Sequence, residues 1–165
     1  MTINTKTLAA IDIGTNAIRL FISNVEEYPT ETLFKKIAFL RVPIRLGEDV
    51  FTTGEIGQQK RKRLCETMQG FSYIMSAFNV ESYKAYATCA MREARNGKSV
   101  AEQIQKECDL NIEIISGTKE AETIFAGGMN EVVDDDKTYL YVDVGGGSTE
   151  VIVYSKSVKI EACSF

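Results

Sequence analysis

Val142–Val153 reads VDVGGGSTEVIV, and it repeats, in register, a stretch near the start of the chain, Ile11–Ile22, IDIGTNAIRLFI. Asp12 falls on Asp143, Gly14 on Gly145, and the apolar run after the turn falls on Val151–Val153 with no gap. Each copy predicts a strand, a glycine turn and a return strand. Glycine lets the backbone turn tightly and lets a ligand approach it closely. Successive N–H groups in such a turn form an anion-binding concavity. The aspartate that ends the first strand suits a divalent cation or an oriented water. Two such hairpins facing each other can hold a chain of phosphates with a metal between them. The plain alternative is a pair of hairpin turns that use glycine for geometry alone; a single D-x-G-[ST] favours it, and two registered copies speak against it.

Working outward from the first copy, Leu8–Ile13 and about Ile18–Val25 read as strands, and Tyr28-Pro29-Thr30 as a turn. Thr32–Leu46 reads as extended, closed by Gly47-Glu48-Asp49. Leu64, Met68, Phe71, Met75 and Phe78 recur at helical spacing and predict one buried face. Ser82–Cys89 reads as a strand, Met91–Asp109 as a helix, Asn111–Ile115 as a short strand and about Thr118–Met129 as a helix. Asp134-Asp135-Asp136 reads as an acidic turn before three further strands, Tyr139–Val144, Thr149–Tyr154 and Val158–Ala162. The order β-β-β-α-β-α-β-α predicts an α/β domain over residues 1–130, a mixed five-stranded sheet covered by helices. Residues 131–165 restart the same pattern as the first strands of a second domain.

Composition narrows the chemistry. The chain has 165 residues and a formal net charge of −4, which argues against a general nucleic-acid binder. Positive charge is local: Arg41 and Arg45, Lys60–Arg63, and Arg92, Arg95 and Lys98. The Lys60–Arg63 run reads as a solvated helix face. There is no histidine, so a Ser-His-Asp triad, a Cys-His pair and histidine metal ligation within this chain are excluded. Cys65, Cys89, Cys108 and Cys163 show no C-x-x-C spacing and read as small buried apolar residues in a reducing, cytoplasmic compartment. No signal-peptide pattern opens the sequence, and no apolar stretch approaches a membrane span.

Four segments carry a family resemblance: IDIGTNAIRL (Ile11–Leu20), ATCAMREARN (Ala87–Asn96), IISGTKEAETIFAGG (Ile114–Gly128) and VDVGGGSTEVIV (Val142–Val153). In order and spacing they resemble the exopolyphosphatase and guanosine-pentaphosphate phosphatase family of the actin, sugar-kinase and heat-shock ATPase superfamily. The resemblance implies two ribonuclease H-like domains around a phosphate-binding cleft. It also implies hydrolysis of a terminal phosphate from inorganic polyphosphate, or of the 5′-γ-phosphate of guanosine pentaphosphate, with Mg²⁺ as cofactor. Glu120 falls where the family has its catalytic base. Arg92 falls on a phosphate-gripping arginine. Gly14, Thr15, Asn16 and Arg19 fall on the first phosphate loop, and Gly145, Gly146, Gly147 and Ser148 on the second. Asp12, Asp143 and Glu150 are the expected metal ligands. Lys119 stands where a second carboxylate is frequent, and Cys89 where a small hydroxyl residue is common. The family's second domain continues past the second hairpin, so an N-terminal fragment is expected, with little activity by itself. A homodimer is also expected.

Each of these residues has a plainer role. A carboxylate at Glu120, in the first turn of a helix, is favoured by the helix dipole alone. Arg92 at a helix start is poorly placed by the dipole but well placed beside free N–H groups for a phosphate; its plain reading is a salt bridge. Asp143 can cap its turn, and Glu150 can face solvent. Two rival functions stay open: a guanosine penta- or tetraphosphate-binding regulator with little hydrolysis, and a kinase of the same superfamily.

Overall fold

In the computed structural model, which describes residues 4–127, 137–155 and 158–164, the chain divides into two compact units, Met1–Ile114 and Ile115–Phe165. The first opens on an antiparallel meander, β1 (Asn4–Ile13), β2 (Ile18–Glu27) and β3 (Thr32–Val42). Helices α1 (Leu46–Thr53) and α2 (Gln58–Ala77) follow, then β4 (Ser82–Ala87), α3 (Cys89–Glu93), α4 (Gly97–Cys108) and β5 (Glu113–Ile114). The sheet order is β3-β2-β1-β4-β5, with β4 parallel to both β1 and β5. This is the predicted mixed five-stranded sheet.

The core lies on one face of that sheet. Ala9, Ile11 and Ile13 of β1 and Ile18, Leu20 and Ile22 of β2 pack with Leu64, Met68, Phe71 and Met75 of α2 and Val100 and Ile104 of α4. Burying each large side chain contributes roughly 1.5–3 kcal/mol. Four of the five residues in the predicted apolar stripe are thus core; the fifth, Phe78, caps the C-terminus of α2 and is 42% exposed.

Three local expectations change. Gly47-Glu48-Asp49 is not a closing turn but the start of α1. Pro43 lacks the N–H to continue the ladder; the chain then passes through Arg45 in the left-handed region (φ 59°), and Leu46 and Val50 bury one side of the helix. The predicted helix Met91–Asp109 is two helices. Asn96 breaks it by clamping Ile56 from both sides, accepting from its N–H and donating to its carbonyl at 2.9 Å each. Gly97 is obligatory beside that break, since a Cβ there would sit 2.0 Å from the Met91 carbonyl oxygen. The Lys60–Arg63 run is not uniformly solvated: Lys62 is exposed beside Glu66, but the Lys60 side chain is only 13% exposed.

The second unit holds α5 (Gly117–Ala126) and a second antiparallel meander, β6 (Thr138–Val144), β7 (Thr149–Ser155) and β8 (Val158–Ser164). The division falls before α5, earlier than the expected boundary at residue 130, because α5 packs on β7 and β8. The acidic turn Asp134–Asp136 lies outside the described residues. The repeat extends into the geometry. Strand ends Ile13 and Ile18 match Val144 and Thr149, and Gly14 N–H to Ala17 O (3.2 Å) matches Gly145 N–H to Ser148 O (2.9 Å). Even the irregularity recurs: register slips after Ile22 in one copy and after the equivalent Val153 in the other.

The copies differ in which face they bury. The first buries the side of Ala9, Ile11 and Ile13, whereas the equivalent Leu140, Val142 and Val144 are exposed. The second buries the opposite side, where Ala121 of α5 packs against Ile152 and Tyr154, flanked by Tyr139, Tyr141 and Ala162.

Candidate active site

The parallel strands β1, β4 and β5 end together, with Ile13 beside Ala87 and Ala87 beside Ile114. Ligands of open α/β sheets bind at such carboxyl ends. From this edge rise the loop Gly14–Ala17 and the turn into α3, tied together by Thr88 N–H to Ile13 O at 3.2 Å. Gly14 needs no positive φ; its constraint is space, because a Cβ would lie 3.2 Å from the Ala17 carbonyl oxygen. Thr15 is buried and Asn16 is exposed at the tip.

Arg92 does not stand at a helix start. It occupies the last turn of the five-residue α3, where the dipole favours a cation. Its guanidinium stands 3.6 Å from Glu93, and its side chain is 24% exposed. Asp12 pairs directly across the hairpin with Arg19, and their side chains form an ion pair. The carboxylate of Asp12, expected as a metal ligand, is thus paired within its own hairpin.

The second hairpin carries the opposite chemistry. The residue across from Asp143 is Glu150, so two carboxylates face one another where the first copy has a carboxylate and a guanidinium. Glu150 does not face solvent; it is 1% exposed on the side that α5 covers. Burial pushes the Tyr141 phenol up, aided by Asp143 and Glu150, which registers how close the two acids lie to it. Like charges directly opposite on a sheet destabilise it. Such a pair of hard oxygen donors fits Mg²⁺, which commonly takes one or two carboxylates and completes its shell with water and substrate phosphates. Among the described residues no cluster of three Asp, Glu or Cys side chains is arranged to hold a metal by itself. Gly145, Gly146 and Gly147 are exposed at the turn, with Ser148 half-buried behind them.

Glu120 sits in the first turn of α5, on the same side of this sheet as Asp143 and Glu150. The helix is capped by Ser116, whose hydroxyl accepts from Lys119 N–H at 3.2 Å. The reciprocal capping acid would belong at position 119, which is a lysine. Capping therefore does not account for Glu120, and its neighbour Ala121 anchors the helix against Ile152 and Tyr154.

Sequence reasoning missed α1 and Lys60, which together hold the first loop. Gly47 N–H donates to Thr15 O and Arg45 N–H to Asn16 O, both at 3.0 Å. Lys60 reaches Arg45 O, Glu48 and Asp49. An acidic first turn and Gly54 just past the end were the available helix signals. The cysteine expectation holds for Cys65, Cys89 and Cys108, which are buried, and fails for Cys163, which is exposed on β8. No described helix is long and apolar enough to cross a membrane.

Comparison with known proteins agrees with this geometry. Residues 11–164 match the Ppx/GppA phosphatase family. The chain is 34% identical over 146 residues, 86% of its length and 22% of the relative's, to a bifunctional 3-dehydroquinate synthase/phosphatase of Fusobacterium nucleatum. It is 28% identical over 150 residues to a putative exopolyphosphatase of Haemophilus influenzae, covering 91% of this chain and 45% of that one. The chain thus spans less than half the length of these relatives. An exopolyphosphatase from Cytophaga hutchinsonii superposes with a TM-score of 0.85 at 29% identity, covering 97% of this chain and 50% of that one. The Aquifex aeolicus member of the family gives 0.83 at 25%, covering 98% and 51%. A nucleoside triphosphate hydrolase of Neospora caninum, at 0.52 and 13% identity over 92% and 38%, shares the fold alone. The fold is the ribonuclease H-like fold of the actin-like ATPases, and the chain belongs to the Ppx/GppA phosphatase family.

Proposed function

We propose that this chain contributes to a phosphoanhydride hydrolase that removes the terminal phosphate of linear polyphosphate or the 5′-γ-phosphate of guanosine pentaphosphate. The observation that carries the reading is Glu120 on a helix laid over the face where Asp143 and Glu150 oppose each other. A carboxylate not needed for capping, on the helix that covers the opposed pair Asp143 and Glu150, suits water activation at a phosphorus centre. The names of the exopolyphosphatase relatives favour polyphosphate as the substrate.

In this reading Glu120 orients a water and accepts its proton as the water oxygen bonds to the terminal phosphorus. The anhydride bond breaks and the shortened chain leaves with the electron pair. N–H groups of the Gly14 loop, with Arg92 and Arg19, bind phosphate oxygens, and the Gly145 loop offers N–H groups of the same kind. Asp143 and Glu150 would hold Mg²⁺, which would supply Lewis-acid charge to phosphate oxygens. Asp12 acts through Arg19 rather than as a ligand.

The test is phosphate release from polyphosphate by the full-length enzyme and its Glu120→Gln variant. Loss of a positioned general base costs about 10²–10⁴-fold in kcat, with substrate binding retained. Undiminished turnover in the variant sinks the role of Glu120. Tight binding of guanosine pentaphosphate with negligible release in the unmodified protein points instead to a regulator.

A further inference from the structure

A loop that cradles anions through its N–H groups must dispose of an equal number of carbonyls. A carbonyl oxygen turned toward a phosphate repels it, so an anion loop needs donors behind it. In the first hairpin those donors come from α1. Gly47 N–H takes the Thr15 carbonyl and Arg45 N–H takes the Asn16 carbonyl, at 3.0 Å each. The approach is close enough that a Cβ on Gly47 would lie 2.4 Å from Thr15 Cγ2. Thr15 is β-branched and buried, so it has little room to yield.

Something must hold α1 in that position, and the local chemistry works against it. Arg45, which leads into the helix, is a non-glycine residue at positive φ. Lys60 of α2 answers this. Its ammonium donates to the Arg45 carbonyl and lies 2.9 Å from both Glu48 and Asp49, the two acids in the first turn of α1. Asp49 in turn accepts from Gly57 N–H at 3.0 Å, just before α2 begins. Burial pulls the Lys60 pKa down, but the bonds and charges of Asp49 and Glu48 more than offset it and hold it above its ordinary value.

We propose that Lys60 is a positioning residue for the first anion loop: by fixing the N-terminus of α1 it keeps the Thr15 and Asn16 carbonyls engaged behind the loop. It does not touch the anion itself. The proposal rests on reading Gly14–Ala17 as a phosphate loop.

The experiment titrates tripolyphosphate into the purified protein by calorimetry and measures its hydrolysis in parallel. Variants are Lys60→Met, Gly47→Ala, and two controls. Lys62→Met removes the same charge from the exposed side of the same helix, and Ile104→Val destabilises the core away from the loop. Lys60→Met and Gly47→Ala weaken tripolyphosphate binding by about tenfold and raise KM to match, because small displacements of positioning groups are costly. Both controls stay within about twofold of the unmodified protein. A Lys60→Met variant that binds as tightly as the unmodified protein overturns the proposal, as does an equal loss in Ile104→Val. If Lys60→Met fails to fold, Gly47→Ala decides alone by the same criterion. An unmodified protein that binds no tripolyphosphate overturns the phosphate-loop reading and this proposal with it, whereas tight binding untouched by Lys60→Met overturns only the latter.

Discussion

Replacing Glu150 by glutamine separates two roles that the second hairpin combines. In the folded chain Glu150 is 1% exposed and lies directly across from Asp143. Without a cation, like charges directly opposite on a sheet destabilise it. Glutamine keeps the shape and removes one of the two opposed charges. A cation that binds only the folded state stabilises it by roughly 1.4 kcal/mol at ten times its dissociation constant. For a chain of this size that corresponds to a rise of about 3–6 °C in Tm. The variant, with one carboxylate lost, gains much less. The assay is a pair of thermal melts, each with and without Mg²⁺, and it needs no turnover. Equal Mg²⁺ shifts in both proteins would refute the reasoning, because the ion would then be acting elsewhere.

Two further outcomes follow from the titrating groups. Burial pushes the Asp49 carboxyl up, but Lys60 and the Gly57 N–H outweigh it; the Lys60 bond likewise lowers Glu48. Both folded values lie below the ordinary 3.8 and 4.5, so their contribution is fully present above about pH 4.5 and is lost as pH falls through the lowered values. Urea midpoints measured from about pH 6 down to about pH 3 therefore drop for the unmodified protein and drop less for Lys60→Met; parallel curves would count against the Lys60 network. Burial pushes the Cys65 thiol up to about 11, with further upward shifts from Glu107 and Cys108, and it raises Cys108 as well. Thiol alkylation of the native protein followed by mass spectrometry should label exposed Cys163 first, and Cys65 and Cys108 only on unfolding. Early labelling of Cys65 would show that the packing between α2 and α4 opens readily.

The repeat was legible in the residues because it is local chemistry. An aspartate, a glycine two residues on and an apolar return strand specify a hairpin wherever they occur, and both hairpins form with matching turn bonds. The stripe on α2 was legible for the same reason, since 3.6-residue periodicity needs no partner to be read. The break at Asn96 was not, because its cause is a two-bond clamp on Ile56, forty residues away. Helix α1 escaped because its short apolar side, Leu46 and Val50, is too brief for a period, and what holds it in place is Lys60 on another helix.

By itself, then, the sequence determined that two copies of one Asp-x-Gly hairpin exist, which residues stand at their turns, and that Glu120 opens a helix between them. Only the tertiary structure decided which face of each copy is buried. The strand Thr138–Val144 is apolar on both sides, with Tyr139 and Tyr141 alternating with Leu140 and Val142, so its pattern names no inward face. α2 and α4 cover one side of the first meander and α5 covers the opposite side of the second. That choice leaves the Asp12–Arg19 pair half-exposed and self-neutralised, and it buries Glu150 against Asp143 beneath the helix that carries Glu120. The physical reason is that a charge's role is set by its cross-strand partner and its solvent, and neither is written in the neighbouring residues.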